Sequence, residues 1–358
     1  MILGIIAFVA MLGVLVLAHE WGHFYAARKF GVRVEEFAFG FPPRLASITK
    51  NGVRYAWNLI PIGGYVKIYG ESGEGQGNRE SFSSRPIWQR FIIIAAGVFM
   101  NMVLAWVLFS AGHAIGLPTV LAEDDATAGV VTILDVLEDS PAAQAGIQFG
   151  DVIRRLEAAG ETIAVASMRD VQEFVSRHGG ESITMVVVRG SGERSVGIVP
   201  RVNPPPSQGA LGISMARVGI VASPWWRAPW DGAKTTATAI VAIARGLGTV
   251  AQNLFARGEV SGDVSGPVGI FVFANESRKL GIVYLLELAG VLSINLAILN
   301  ILPVPALDGG RVLFLAIERI RGGVRVNERI EQFVHTVGMA LLLLLMVAIT
   351  YRDIVRFF

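Results

Sequence analysis

His19-Glu20-Trp21-Gly22-His23 places two imidazoles and a carboxylate within five residues. In a helix, residues four apart lie ~40° apart in azimuth, so His19 and His23 project from one face and can grip one metal ion. Glu20 beside them has the position of a general base. The chain has no cysteine; this excludes disulfides, thiolate chemistry and sulfur ligation, so any metal must sit on His, Asp or Glu. A catalytic zinc uses three protein ligands plus a water, so two histidines leave it one short. In the apolar run 281 to 302 and the turn after it, the carboxylate candidates are Glu287 and Asp308. Asp308 lies in Asn300-Ile301-Leu302-Pro303-Val304-Pro305-Ala306-Leu307-Asp308-Gly309-Gly310, where two prolines free backbone groups and two glycines permit close approach. At membrane depth such irregular backbone is tolerated where it lines a site or is buried in protein, which favours Asp308. Glu287 reads as a lone partner-bonded carboxylate. His335 reads as an interface residue and Arg311 as an anchor of its turn.

The elements that must carry these residues are membrane spans. The chain of 358 residues is 53% hydrophobic and only 17% charged, against about 25% charged in ordinary soluble proteins. A span needs about 20 mostly apolar residues. Residues 2 to 18 carry no charge, and apolar character resumes through Ala27; without a basic leader or small-residue cleavage site, this reads as a retained span rather than a signal peptide. Further spans are 91 to 112, opened by Trp88 and Arg90; 281 to 302, interrupted by Glu287, Asn295 and Asn300; and 333 to 350, with five leucines from Leu341. Arg28, Lys29, Arg33, Arg44, Lys50, Arg54 and Lys67 follow the first span, and Arg319, Arg321, Arg325 and Arg329 precede the last. The positive-inside rule puts both loops in the cytoplasm and the N-terminus outside. The stretch 231 to 257, broken by Arg245 and entered past Trp225, Trp226 and Trp230, reads as an interfacial or partly buried helix, with a spanning helix as the alternative. A net charge of +2 with no basic run gives a nucleic-acid partner no support.

The insert at 118 to 203 has soluble character. Strands are expected at 130 to 136, 182 to 188 and 196 to 200, and helices at 140 to 146 and 168 to 177, followed by the linker Asn203-Pro204-Pro205-Pro206. The string Ser140-Pro141-Ala142-Ala143-Gln144-Ala145-Gly146-Ile147, continued by Gly150-Asp151-Val152-Ile153, resembles a bacterial PDZ domain. That resemblance implies peptide recognition; no hydrophobic-Gly-hydrophobic carboxylate loop stands out, which leaves capture of a C-terminus open. In the first cytoplasmic loop, Asn51-Gly52 signals a hairpin, and Val53, Tyr55, Trp57 and Leu59 alternate with more polar residues.

His-Glu-x-x-His in one span, with Asn-x-x-Pro-x-Pro-x-Leu-Asp-Gly-Gly near another, resembles the site-2 protease family of intramembrane zinc metalloproteases. The bacterial regulator-of-sigma-factor proteases are its nearest members. Ala96-Gly97 with Asn101, the PDZ-like insert and Gly266-Pro267-Val268-Gly269-Ile270 extend the match along nearly the whole chain. The resemblance implies Zn2+ held by His19, His23 and Asp308, Glu20 as base, and Asn295 and Asn300 holding substrate backbone. Asn58 through Ile68 resembles the family's re-entrant β-loop and edge strand, so Asn58, Leu59, Ile60, Gly63, Gly64, Tyr65 and Val66 become candidates for pairing with an unwound substrate. Gly40-Phe41-Pro42-Pro43 departs from the family's Gly-x-Gly-Pro at Pro42. The implied substrates are single-span membrane proteins of the anti-sigma-factor kind, already shortened by an earlier cut, with the PDZ-like domain filtering their ectodomains.

The expected fold is a polytopic α-helical membrane protein with about four transmembrane helices, a re-entrant β-loop and one extracytoplasmic PDZ-like domain, in a bacterial inner membrane. Its parts are a first membrane half (1–117), the PDZ-like domain (118–203), a linker with the interfacial helix (204–280) and a second membrane half (281–358). A non-enzymatic PDZ-bearing scaffold and an ion-coupled transporter are the rivals; intact His19, Glu20, His23 and Asp308 argue against the first, and the lack of an internal repeat against the second.

Overall fold

The computed structural model describes residues 2–71, 73, 75–122, 128–190, 192–205, 208–257 and 265–357. In chain order its elements are α1 (Ile2–Lys29), β1 (Val34–Lys50), β2 (Val53–Ile68), α2 (Ile87–Ile115), β3 (Leu117–Val120), β4 (Val130–Val136), α3 (Pro141–Gln144), β5 (Val152–Ala158), β6 (Glu161–Ala164), α4 (Met168–Arg177), β7 (Ile183–Arg189), β8 (Gly192–Ile198) and β9 (Ile213–Val221). Then follow α5 (Ala228–Arg257), α6 (Pro267–Leu280), α7 (Ile282–Ile301), α8 (Asp308–Ile320) and α9 (Glu328–Phe357). Pro206 of the expected linker and residues 258–264 of the expected third part lie outside the described residues. The chain divides into two compact units, one of residues 1–112 with 225–358, the other His113–Pro224.

In the first unit, α1, α2, α7 and α9 are, among the described residues, the four helices long and apolar enough to cross a membrane. The chain is a multi-pass membrane protein. Helix α5 is not one of these four; Ala239, Ile240 and Ile243 on it pack with Ala105 and Phe109 of α2 and Ile294 of α7, so it is partly buried along two spans. The N-terminus of α6 is closed from α9: the buried Asp353 carboxylate accepts from the Gly266 and Gly269 amides at 2.9 and 2.8 Å. That satisfies donors which a helix start leaves free.

Between α1 and α2 the chain forms a two-stranded sheet that doubles on itself. Asn51 and Gly52, with φ of 50° and 78°, make the tight turn their types favour. The Glu36–Phe39 segment of β1 lies between two parts of β2, with Gly64 to Lys67 on one side and Arg54 to Trp57 on the other. The second part of β1 then pairs with residues 53–58. Inside this sheet, buried Glu36 accepts from Arg44 at 2.9 and 3.0 Å, Arg54 at 3.3 Å and the Tyr65 hydroxyl at 2.9 Å.

The second unit is a seven-stranded sheet in the order β3-β9-β4-β5-β7-β8, with β6 on β5. Its core gathers Val131, Ile133, Ile153, Leu156, Phe174 and Met185. Ser140 caps α3, and Ser167 with Asp170 forms a capping box on α4. The expected end at 203 is too early: the unit continues to Pro224 because β9 pairs with both β3 and β4. The polar-proline stretch is therefore a connection within this unit. Beyond it stands a hydrophobic-Gly-hydrophobic triplet, Leu211-Gly212-Ile213, with Gly212 at φ 71°. Next to the triplet, β9 pairs with β4 along 213–218 but with β3 only along 218–221.

Candidate metal centre

Helix α1 presents His19 and His23 one turn apart, as their spacing requires, and the start of α8 brings Asp308 to them. His19 Nε2 lies 3.1 Å from Asp308 Oδ2, His23 Nε2 lies 3.4 Å from the same oxygen, and the two Nε2 atoms are 3.1 Å apart. Among the described residues, these are the one group of three or more His, Asp or Glu side chains whose donor atoms lie within 4.8 Å of one another. The donor set suits zinc: two imidazole nitrogens and one carboxylate oxygen. The local chemistry points the same way, because Asp308 Oδ2 is buried yet has no hydrogen-bond partner, and a buried acceptor without one is costly. Glu287, the other sequence candidate, is outside this group.

Several devices hold the geometry. Gly97 on α2 sits where any Cβ would collide with the His23 and His19 rings, and Gly22 meets the Ala96 carbonyl in the same way. Close approach of α1 and α2 thus depends on both. His23 Nδ1 donates to the Ile93 carbonyl at 2.9 Å, which leaves its Nε2 lone pair for a metal. A Cβ at Gly309 would strike the Ile301 and Leu302 carbonyls, so the turn into α8 needs glycine. His335, read from sequence as an interface residue, accepts from the Ala306 amide at 2.9 Å and so braces this turn, in which Ala306 has φ 77°. Arg311 pairs with Glu71, tying α8 to the segment after β2.

Glu20 lies next to the metal-binding group and against the outer side of β2: a Cβ on Gly64 would be 3.8 Å from Glu20 Cγ, and the Val66 backbone reaches the Glu20 carboxylate. Gly64 and Val66 therefore border the site. Asn300 Nδ2 is 3.4 Å from His19 Nε2, whereas Asn295 is turned along its own helix to the Val291 carbonyl at 3.1 Å. The two asparagines are not equivalent; only Asn300 is brought to the imidazoles. Asn58 also differs from expectation. It is 1% exposed and its side chain donates to the Gly40 carbonyl at 2.9 Å, so it braces the loop. Tyr65 is likewise engaged through its hydroxyl with Glu36. Leu59 and Ile60 are exposed, and Gly63 has φ 90°.

Sequence reasoning missed two features. Arg90 of α2 and Glu318 of α8 form a buried two-pronged ion pair at 2.9 and 2.6 Å, fixing the helix that begins with Asp308. Asn101 stands 3.4 Å from His19. A charged residue opening an apolar span and an amide within one were the available signals.

The model of peptidase family M50 matches residues 7–345. This chain belongs to peptidase family M50. Its relatives include the zinc metalloprotease RasP of Bacillus licheniformis, 30% identical with 99% of each chain covered. Another is the regulator of sigma-W protease RasP of Bacillus subtilis, also 30% identical with 99% of each chain covered. The site-2 protease resemblance drawn from the two motifs is thereby established for the chain as a whole.

Proposed function

We propose that this zinc metalloprotease of family M50 is an intramembrane endopeptidase that cuts the membrane-spanning segments of single-span proteins, of the anti-sigma-factor kind. The observation that carries this reading is the convergence of His19, His23 and Asp308 next to Glu20 and the outer edge of β2. His19, His23 and Asp308 would hold the zinc. Bound there, zinc supplies Lewis acidity, which brings the pKa of water near 7 and polarises a peptide carbonyl. Glu20 takes the proton from the attacking water and returns it to the leaving nitrogen. Asn300 offers an amide donor to the substrate backbone next to the site; Asn295 lies more than a turn away on α7 and would contact substrate farther from the cut.

A transmembrane helix hides its scissile bond within its own hydrogen-bond ladder, so the substrate must be unwound and held extended. Among the described residues, Gly64 to Lys67 has a strand partner, β1, on one side only, and Val66 reaches Glu20. Strand addition along this edge would lay an extended peptide across the base. Gly63 and Gly64 keep the edge narrow, while Leu59 and Ile60 offer apolar contact nearby. The second unit acts as a PDZ-like filter on the substrate's ectodomain. Leu211-Gly212-Ile213 and the open side of β9 next to it support that role, with capture of a freshly exposed C-terminus as its mode. The protein then sits in a bacterial inner membrane with its N-terminus and second unit outside.

Metal analysis of the purified full chain tests this reading against a scaffold or a transporter. Stoichiometric zinc, and cleavage of a reconstituted single-span substrate that a chelator abolishes and zinc restores, are expected. A chain without zinc, or cleavage indifferent to its removal, overturns it.

A further inference from the structure

Both histidines need their second ring nitrogen protonated if Nε2 is to serve a metal, because a neutral imidazole has one donor and one acceptor nitrogen. For His23 the matter is settled by the Ile93 carbonyl, which can only accept. For His19 the group facing Nδ1 is the side-chain amide of Asn101, also from α2, with Nδ2 at 3.4 Å. Asn101 is 0% exposed, between the apolar stretches 91–100 and 102–109 of α2, and its Oδ1 has no hydrogen-bond partner. A buried amide oxygen left unpaired in such surroundings is costly. With the proton on His19 Nδ1, two donors face each other while an acceptor goes unused.

The oxygen and nitrogen of a side-chain amide exchange places on a half-turn of the terminal bond. That half-turn sets Oδ1 opposite His19 Nδ1–H, converts the opposed donors into a donor–acceptor pair and gives the orphaned oxygen its partner. The position is held from the other side, since the Asn101 backbone carbonyl accepts from Ser293 Oγ of α7 at 2.7 Å. We infer that Asn101 is a positioning residue for the metal centre: its Oδ1 accepts from His19 Nδ1–H and so commits the His19 Nε2 lone pair to zinc. The inference rests on the zinc site proposed above. It assigns to an amide on α2 the task that a carbonyl of the same helix performs for His23.

Two substitutions of similar size separate this role from packing. Asn101→Leu removes the acceptor and keeps the bulk; Asn101→Asp keeps an acceptor and places a carboxylate in an apolar span. Loss of a hydrogen-bond partner behind a metal ligand typically costs about 10–100-fold in metal affinity. Zinc affinity of the purified full chain, measured by chelator competition, is expected to fall by about that factor in Asn101→Leu. In Asn101→Asp it should stay near the wild-type value or tighten. A packing role predicts the reverse order, because burying a carboxylate disturbs an apolar helix more than leucine does. Equal zinc retention by Asn101→Leu and wild type overturns the inference, as does a loss in Asn101→Asp equal to or greater than that in Asn101→Leu. Wild type that binds no zinc would instead strike at the zinc site itself.

Discussion

Two of the donor atoms at the candidate metal centre come from α1, one turn apart, and the third from the start of α8. His23→Ala or Asp308→Ala leaves two ligands where zinc needs three, so both variants should lose stoichiometric zinc on dialysis, as read by metal analysis. A second residue-scale prediction concerns Glu36 in the sheet. Burial pushes its carboxyl up, but the Tyr65 hydroxyl and the Arg44 and Arg54 guanidiniums outweigh burial and hold it below the ordinary glutamate range. A depressed folded-state pKa contributes stability that is full above the unfolded value, about 4.3, and is lost as pH falls through the folded value. Glu36→Gln should therefore melt at a lower temperature than wild type at pH 7, and the gap should close as the pH is taken below about 4. A gap that is constant with pH would show that the carboxylate charge is not what matters. The convergence of His19, His23 and Asp308 was legible because helical spacing fixes what His19 and His23 can share, and because the Pro/Gly-broken segment singled out Asp308. The Arg90–Glu318 pair, 228 positions apart, and Asn101–His19, 82 apart, were not, since nothing local specifies which buried polar group meets which.

At the scale of elements, the spans followed from length and apolar content, which is what a bilayer selects. The β1–β2 hairpin followed from Asn51-Gly52. That β1 would be flanked on both sides by parts of β2 did not, because pairing in a doubled sheet is decided by how the strands curl rather than by their alternation. The same holds for β9, whose place between β3 and β4 lies beyond a proline-rich stretch that reads locally as a domain end. The free edge of β2 carries a prediction of its own. Val66→Pro removes the backbone donor next to Glu20 without altering a metal-ligating side chain. Cleavage of a single-span substrate should slow at least ~10-fold, about 1.4 kcal/mol in the barrier, with zinc content unchanged. Full activity in this variant would reduce the edge to an ordinary hairpin strand.

For the whole molecule, the orientation proposed from the basic loops is one that the chain itself makes easy to test. It has no cysteine, so each introduced cysteine is the one thiol present. A cysteine at Gln148 of the second unit should react with a membrane-impermeant reagent added outside intact cells, and one at Gly52 in the hairpin turn should react only after permeabilisation. The opposite pattern would invert the topology and place the second unit on the wrong side to filter ectodomains. The central claim, that a carboxylate in the first span drives water-based peptide cleavage at a zinc site, is tested most directly with Glu20→Gln. Purified wild type and variant should carry equal zinc per chain, while cleavage of a reconstituted single-span substrate falls to background in the variant alone. Wild-type turnover by Glu20→Gln would contradict the account.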